Sequence, residues 1–296
     1  MNGSVTSTLD FEAWVGRSES VEDIASGSAA LGLSSVLDTP RDQGNSDSGT
    51  AALFPLGHWL QFNPTAPMSD LGPDGHPKLG GFMPPLPLPR RMWAGSNISF
   101  YEPIVIGQRL RKTTTIESIT PKTGSTGQLC FVSLRHVITA DEELALVEHQ
   151  NIVYREAPPV DPNAPSPSQP PRQSGLAPGG WDWTGALRPN EITLFRYSAL
   201  TFNSHRIHYD HPYATRVEGY PGLVVHGPLL ATYIVDAFLR RHQGATITSF
   251  EFSARSPIFA GEQIYVTGRA DGDGAEELAV IGPDGRPAVI ARIEYR

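Results

Sequence analysis

The chain has 296 residues, a formal net charge of −8 at pH 7, 39% hydrophobic residues and 18% charged residues. This composition is typical of a folded globular protein, and the length fits two domains of ordinary size. The acidic balance argues against nucleic acid as the main partner. The single cysteine, Cys130, allows no internal disulfide. No apolar run reaches the roughly 18 residues of a membrane span, and we expect no signal peptide, so the sequence predicts a cytoplasmic protein that does not enter a membrane.

The first half of the chain combines short helical patterns with a run of strands. Apolar residues at spacings of three and four predict a helix within residues 10–36, and residues 55–62 predict a short buried helix. Residues 63–91 are rich in Pro and Gly, and we expect them to pack as extended chain on a surface. Alternating patterns then predict strands near 97–101, 109–119, 127–139 and 144–155.

A segment of Pro, Ser, Gly and Ala over residues 157–180 is the clearest boundary in the sequence. Such a composition buries too little apolar surface to fold, so it predicts a linker. The predicted organisation is a first domain at 1–156, a linker at 157–184 and a second domain at 185–296. In the second domain we predict a strand over 191–202, a helix over 228–240, and strands near 246–254, 262–270, 276–281 and 287–295.

An internal repeat links the two halves. Residues 103–110 and 257–264 share the pattern Pro-Ile-x-x-Gly-(Gln/Glu)-x-(Leu/Ile), and each copy follows one apolar helix and precedes long strands. One helix followed by antiparallel strands, twice, predicts an α+β protein with two copies of a helix-wrapped antiparallel sheet.

The densest group of acid–base residues lies in the second half. Residues 203–211 carry three histidines, and His226-Gly227-Pro228 follows at the start of the predicted apolar helix. A proton carrier near free N-terminal helix amides suits chemistry at an acyl group, whose carbonyl oxygen gains charge. The spacing of His205, His208 and His211 also invites a metal site. Because Pro212 follows at once and no helix is evident there, we predict that these side chains do not converge on a metal.

These motifs resemble the double hot-dog hydratases and dehydratases of the MaoC-like group. The similarity is greatest to mesaconyl-C4-CoA and itaconyl-CoA hydratases and to hydroxyacyl-thioester dehydratases type 2. The family's Ser-Gly-Asp-x-Asn-Pro-x-His motif falls on residues 201–208, and its His-Gly before the central helix falls on His226-Gly227. The resemblance covers about residues 50–296 and implies a double hot-dog fold, with two antiparallel sheets each wrapping a central helix. The first hot dog is degenerate by this interpretation and supplies a wall of the acyl tunnel.

The resemblance also implies roles for individual residues. His208 matches the catalytic histidine, and Asn203 stands where the family has aspartate. Since an amide cannot take a proton, we expect His208 to carry the proton alone while Asn203 holds the water. The backbone amide of Gly227 would polarise the thioester carbonyl. The predicted substrate-binding residues are Arg90, Arg206, Val225 and His226.

The implied activity is that of a hydro-lyase that reversibly hydrates 2-enoyl-CoA thioesters. A small branched dicarboxylic acyl group is favoured, such as mesaconyl-C4-CoA or itaconyl-CoA giving citramalyl-CoA, and no cofactor is expected beyond the coenzyme A of the substrate. Three alternatives stay open: a 3-hydroxyacyl-thioester dehydratase of fatty-acid metabolism, a thioesterase using Asp210 or Glu218, and a non-catalytic acyl-CoA binding hot dog. A monomer and a homodimer are both compatible with the sequence.

Overall fold

One antiparallel sheet of ten strands dominates the computed structural model, which describes residues 11–39, 51–124, 127–157, 172 and 177–296. The first half contributes β1 (Ser18–Ile24), β2 (Arg90–Phe100), β3 (Arg109–Gly124), β4 (Gly127–Ala140) and β5 (Glu143–Arg155). The second half contributes β6 (Trp183–Leu187), β7 (Ile247–Ala254), β8 (Ile264–Ala270), β9 (Ala275–Ile281) and β10 (Pro287–Tyr295). Their order is β1-β3-β4-β5-β2-β7-β10-β9-β8-β6. The α+β class and the strands predicted from residue 97 to 155 and from 246 to 295 are confirmed.

Within the described sheet, the two halves join through one pair of strands. β2 pairs with β5 of its own half on one side and with β7 of the second half on the other, over the register Gly95↔Ser253 to Ser99↔Ser249. The two predicted sheets are therefore joined edge to edge, through β2 and β7, into one continuous sheet.

The internal repeat is a duplicated turn. In the first copy the side chain of Gln108 accepts the backbone N–H of Val105 at 2.7 Å, and in the second Glu262 accepts that of Phe259 at 2.9 Å. Val105 and Phe259 each form an isolated bridge to chain that precedes the repeat. The shared Gln/Glu position is therefore explained, because both side chains satisfy a backbone donor in the same tight turn.

The longest helix, α3 (Gly227–Arg241), is the predicted helix of the second half. Its side chains at Leu229, Ile234 and Phe238 are fully buried, and it packs on β8, β9, β10 and β2. The helix predicted at 55–62 is only a 3-10 turn, Gly57–Leu60. Among the described residues, the first half therefore has no counterpart of α3, which agrees with a degenerate first hot dog.

Two sequence predictions are wrong. Residues 191–202 form a helix, α2 (Glu191–Leu200), because the Asn190 side chain accepts the N–H of Thr193 at 3.0 Å and caps it. Its buried residues Leu194 and Tyr197 are three apart, a helical spacing that the β-branched and aromatic content concealed. Residues 10–36 are not one helix: β1 pairs with β3 at the edge of the sheet, and only α1 (Gly27–Val36) is helical.

Most of the predicted linker, residues 158–171 and 173–176, lies outside the described residues, so the domain boundaries stay predictions. Residues 157, 172 and 177–184 of it are described. Arg172 forms an ion pair with the buried Glu262 (Nε–Oε1 2.6 Å), and β6 begins at Trp183. Within the described parts of the chain, no helix is both long and apolar enough to cross a membrane.

Candidate active site

A cavity of about 650 Å³ opens where the two halves meet, and both halves line it. The second half contributes Asn203 and His208, from the candidate catalytic loop (residues 203–211), together with Val225, His226 and Gly227 at the start of α3. Five of the seven predicted site residues therefore face one cavity, although they come from two separate stretches of chain.

His208 is held in a defined tautomer. It is a buried residue at the end of a 3-10 turn, Arg206–His208, and its Nδ1 lies 2.7 Å from the carbonyl oxygen of Val224. Because a carbonyl oxygen can only accept, Nδ1 carries the proton and Nε2 is left as an acceptor. Burial lowers the pKa of His208 to about 4, against the opposing effect of the Val224 hydrogen bond. The ring is therefore a neutral base at physiological pH.

His226 supports the His208 ring. The two imidazoles stack with their centroids 3.6 Å apart and an angle of 18° between their planes. His226 Nε2 lies 2.9 Å from the hydroxyl oxygen of Ser198 on α2, whereas its Nδ1 is buried with no partner in the described part of the chain. Burial holds the pKa of His226 well below its ordinary value, so this ring is neutral too.

Gly227 is the first residue of α3 and Pro228 is the second. The N–H groups of a first helical turn have no acceptor within the helix, and the helix dipole adds to their pull on a developing negative charge. A Cβ on Gly227 would meet only the carbonyl oxygen of Trp93, at 3.8 Å, which is ordinary contact. Packing within the protein therefore does not require glycine here, whereas a ligand that approaches this amide would.

We predict that Gly227→Ala keeps the fold and loses activity. The added methyl group makes no clash with protein but occupies space beside the amide, so we expect kcat/KM to fall roughly 10²-fold, as when an oxyanion donor is lost. Gly222→Ala is the matched control, since its Cβ would also meet only ordinary contact, with Phe259 at 3.9 Å, away from the cavity lining. Steady-state kinetics and thermal melts on both variants check this, and equal kinetics in the two would remove Gly227 from the site.

Asn203 lines the cavity, but its amide oxygen is already engaged. Oδ1 accepts the backbone N–H of His205 at 3.0 Å, and the Asn203 N–H donates to the carbonyl of Ser198 at 2.8 Å. No partner of the side-chain nitrogen Nδ2 is found within the described residues. Because Oδ1 keeps a second lone pair, Asn203 can both donate a hydrogen bond to a water or substrate in the cavity and accept one from it.

The two arginines predicted to bind substrate lie outside the cavity lining. Arg90 Nε is 2.6 Å from Glu218 Oε2, and both side chains are buried. Arg206 Nη2 is 2.7 Å from Asp210 Oδ2. Each guanidinium is therefore paired within the protein, and the structure does not bring either to the other predicted site residues. The same pairs occupy the two carboxylates considered for a thioesterase.

The family of hydroxyacyl-thioester dehydratase type 2 matches residues 56–260. Mesaconyl-C(4)-CoA hydratase of Chloroflexus aurantiacus is 44% identical over 288 residues, which cover 97% of this chain and 99% of that protein. The chain belongs to the family of hydroxyacyl-thioester dehydratase type 2.

Solved structures agree on the fold. A MaoC-like dehydratase superposes with a TM-score of 0.71 at 13% identity, covering 97% of this chain and 99% of that one. A Mycobacterium tuberculosis protein described as having a double hotdog fold superposes with a TM-score of 0.58 at 14% identity, covering 95% and 96%. The predicted double hot-dog fold and the MaoC-like resemblance are confirmed.

Sequence reasoning missed a segment of the first half that docks on the family's catalytic loop. The hydroxyl of Ser204 donates to the Gly75 carbonyl at 2.5 Å, and the Arg206 N–H donates to the Asp74 carbonyl at 2.9 Å. Gly75 has a φ of +92°, and a Cβ there would overlap the carbonyl oxygen of Ser204. The Pro/Gly-rich segment predicted to pack on a surface thus packs on the site itself. Its Pro-Asp-Gly-His turn was the available signal.

We predict that Gly75→Ala disturbs this docking. Both the left-handed backbone and the overlap with Ser204 oppose any side chain, so we expect a loss of at least about 1 kcal/mol of stability. We also expect a lower kcat/KM, because the first-half segment moves off the catalytic loop. Gly81→Ala is the control, since its Cβ would meet nothing within 4 Å. Unfolding curves and kinetics that match between the two variants would contradict the prediction.

The docked segment completes a row of histidines. The ring of His76 lies 4.4 Å from that of His205, which lies 5.4 Å from that of His208 (centroid distances). Asp74, His76 and His205 also place possible metal-ligand atoms within 4.8 Å of one another. This group omits His208 and His211, so it is not the spacing considered from the sequence. The positive charge of Arg91 acts on both His76 and His205, which disfavours a cation between them.

A second buried polar cluster lies in the first half and also reaches the cavity. The Glu148 carboxylate is 3% exposed and accepts hydrogen bonds from Trp59 Nε1 (3.1 Å) and the hydroxyl of Ser96 (2.6 Å), with His58 Nε2 at 3.1 Å. Burial by itself would raise the pKa of Glu148, but its hydrogen bond to His58, the charges of His58 and His136, and the bond from Ser96 outweigh burial and lower it to about 2. The carboxylate is therefore ionised and engaged by three partners, so we interpret this cluster as one that stabilises the fold.

Proposed function

We propose that this protein reversibly adds water across the 2,3 double bond of mesaconyl-C4-CoA to give citramalyl-CoA. The observation that carries the proposal is His208, whose Nδ1–H is held by Val224 so that Nε2 is a free base in the cavity beside the start of α3. The relative that is 44% identical over nearly its whole length carries the name of this activity, which supports the acyl group.

The proposed reaction uses one base and one oxyanion site. Nε2 of His208 takes a proton from water while the hydroxide oxygen bonds to the β-carbon, and the π electrons move onto the thioester oxygen. The N–H of Gly227 stabilises that enolate oxygen at the positive end of α3. His208 then returns its proton to the α-carbon, so that one water is added and the base is regenerated. Asn203 donates a hydrogen bond that orients the water.

The lowered pKa of His208 gives a pH prediction. A group whose pKa is lowered to about 4 is in its neutral, active form at all pH values well above 4. We therefore expect kcat/KM, which reports the free enzyme, to be flat between pH 5 and 8 and to fall only as pH approaches 4. An ordinary histidine would instead give an inflection near pH 6.5. Initial rates across pH 5–8 distinguish the two, and an inflection near 6.5 would exclude buried His208 as the base.

The proposal is tested by incubating the purified protein with mesaconyl-C4-CoA and with crotonyl-CoA and following the loss of enoyl-thioester absorbance. A thiol reagent added in parallel detects free coenzyme A. We expect hydration of mesaconyl-C4-CoA without release of the thiol. Turnover of crotonyl-CoA alone would favour the dehydratase of fatty acyl groups that the family match also supports, and thiol release would indicate a thioesterase. Binding of both thioesters without turnover would leave the non-catalytic module.

A further inference from the structure

Arg91 is a cationic side chain of the cavity wall that has no counter-ion bound to it. It is half-buried on β2, next to Arg90, whose guanidinium is paired with Glu218. Within the described residues, the side chain of Arg91 forms no hydrogen bond or ion pair, although it lines the cavity. Asp74 feels its charge, but the Asp74 carboxylate accepts the backbone N–H of His76 at 3.1 Å instead. A guanidinium held partly out of water without a partner favours an anionic ligand.

Arg91 lines the same cavity as the row of histidines His76, His205 and His208, and its charge acts on the first two. Burial lowers the pKa of His76 well below its ordinary value and that of His205 to about 3, and the charge of Arg91 lowers both further. Both imidazoles are therefore neutral at pH 7, and each can donate one N–H without repelling Arg91. His205 in turn lies 5.4 Å from His208, ring centroid to ring centroid.

We infer that Arg91, with His76 and His205, forms the subsite for the free carboxylate of a dicarboxylic acyl-CoA. The inference rests on the proposed function. In the mesaconyl-C4 thioester the free carboxylate is bonded to the β-carbon that water attacks, so its binding groups must lie next to the base. The planar guanidinium of Arg91 can donate to both carboxylate oxygens in a fork. His76 and His205 line the same cavity, and the ring of His205 contacts those of His76 and His208.

The other cations of the cavity wall are less suited to this role. Lys78 Nζ donates to the carbonyl of Ser69 at 2.7 Å. Lys112 lies over the ring of Phe62 and is attracted by Glu148 and other carboxylates. Arg255 is exposed, at a position where the cavity meets solvent. Among these four cavity-lining cations of the described chain, Arg91 is the one that is half-buried, has no side-chain partner and acts by its charge on His205.

Direct binding of two isosteric saturated thioesters tests the subsite. Succinyl-CoA carries a carboxylate where butyryl-CoA carries a methyl group, and neither has a double bond to hydrate. Calorimetric titration of wild type should show tighter binding of succinyl-CoA. We expect Arg91→Met to bind succinyl-CoA roughly 10- to 100-fold more weakly than wild type does, the loss typical of a charge-assisted hydrogen bond. Its affinity for butyryl-CoA should be unchanged. Arg91→Lys should retain part of the preference, since it keeps the charge and loses the fork.

Arg255→Met is the matched control, because it removes an arginine from the same cavity wall without touching the histidine row. We expect it to change the two affinities by the same factor. An Arg91→Met protein that keeps the wild-type preference, or that loses affinity for both thioesters equally, would overturn the inference. Neither result depends on turnover. Failure of the proposed function would appear separately, as wild-type protein that binds succinyl-CoA preferentially but does not hydrate mesaconyl-C4-CoA.

Discussion

His208→Ala is expected to lower kcat by roughly 10²–10⁴-fold, the usual contribution of a positioned general base, while acyl-CoA binding is largely retained. The reason is geometric: Val224 fixes the Nδ1–H tautomer, and stacking on His226 fixes the plane of the ring. Alanine removes Nε2, the nitrogen of the His208 ring that is left to accept the proton. Stopped-flow or steady-state rates with mesaconyl-C4-CoA, together with titration of succinyl-CoA, separate the loss of chemistry from a loss of binding.

His211→Ala is the natural control for this experiment, because His211 belongs to the same loop but is exposed and lies outside the cavity lining. Its activity should match wild type. Added imidazole should partly restore His208→Ala if the missing group is a base rather than a packing element. Turnover that survives in His208→Ala would move the base to another histidine of the row, His205 or His76.

Glu148→Ala is expected to destabilise the protein by about 3–5 kcal/mol, the cost of breaking a buried charged network. The change removes the buried acceptor shared by His58 Nε2, Trp59 Nε1 and the hydroxyl of Ser96. Because the Glu148 pKa is lowered to about 2 from an ordinary 4.5, its contribution is present above pH 5 and is lost as pH falls towards 2. The difference in free energy of unfolding between wild type and Glu148→Ala should therefore shrink in acid.

Chemical unfolding at pH 7 and at pH 3 measures this difference. Glu143→Ala on the same strand is the control, since Glu143 is exposed and its removal should change stability by less than about 0.5 kcal/mol. A loss in Glu148→Ala that is the same at both pH values would assign the effect to packing rather than to the ionised carboxylate.

The strands and α3 could be predicted because their signals are local. Alternation along β3, β4 and β5 and the apolar run after Pro228 need no knowledge of the rest of the chain. α2 could not, because two features competed: Tyr197 and its apolar neighbours favour a strand by composition, whereas the Asn190 cap favours a helix. The cap prevailed because it satisfies a backbone donor and lets Leu194 and Tyr197 bury on one face.

Only the site residues that lie close together in the sequence could be predicted; those contributed by distant segments could not. His208, Asn203 and Gly227 lie within 25 residues of one another and form a recognisable motif. His76 and Arg91 come from more than 100 residues earlier. The docking of Asp74 and Gly75 on the catalytic loop brings His76 to the site, and β2 carries Arg91 to the cavity wall. Likewise, nothing near Arg90 in sequence indicates that Glu218 neutralises it. Tertiary pairing decides which of two adjacent arginines faces the cavity.

The central position of β2 has an evolutionary consequence. This strand belongs to the half that carries no base, yet it brings Arg91 and Trp93 to the cavity and is hydrogen-bonded to β7 of the other half. Substitutions on β2 can therefore change which acyl group is accepted while the acid–base residues stay as they are. The same pairing ties the duplicated halves together, since separating them would expose two unpaired strand edges, on β2 and β7, that are prone to aggregation. The same strand therefore allows the accepted acyl group to change and prevents the two halves from existing as separate domains.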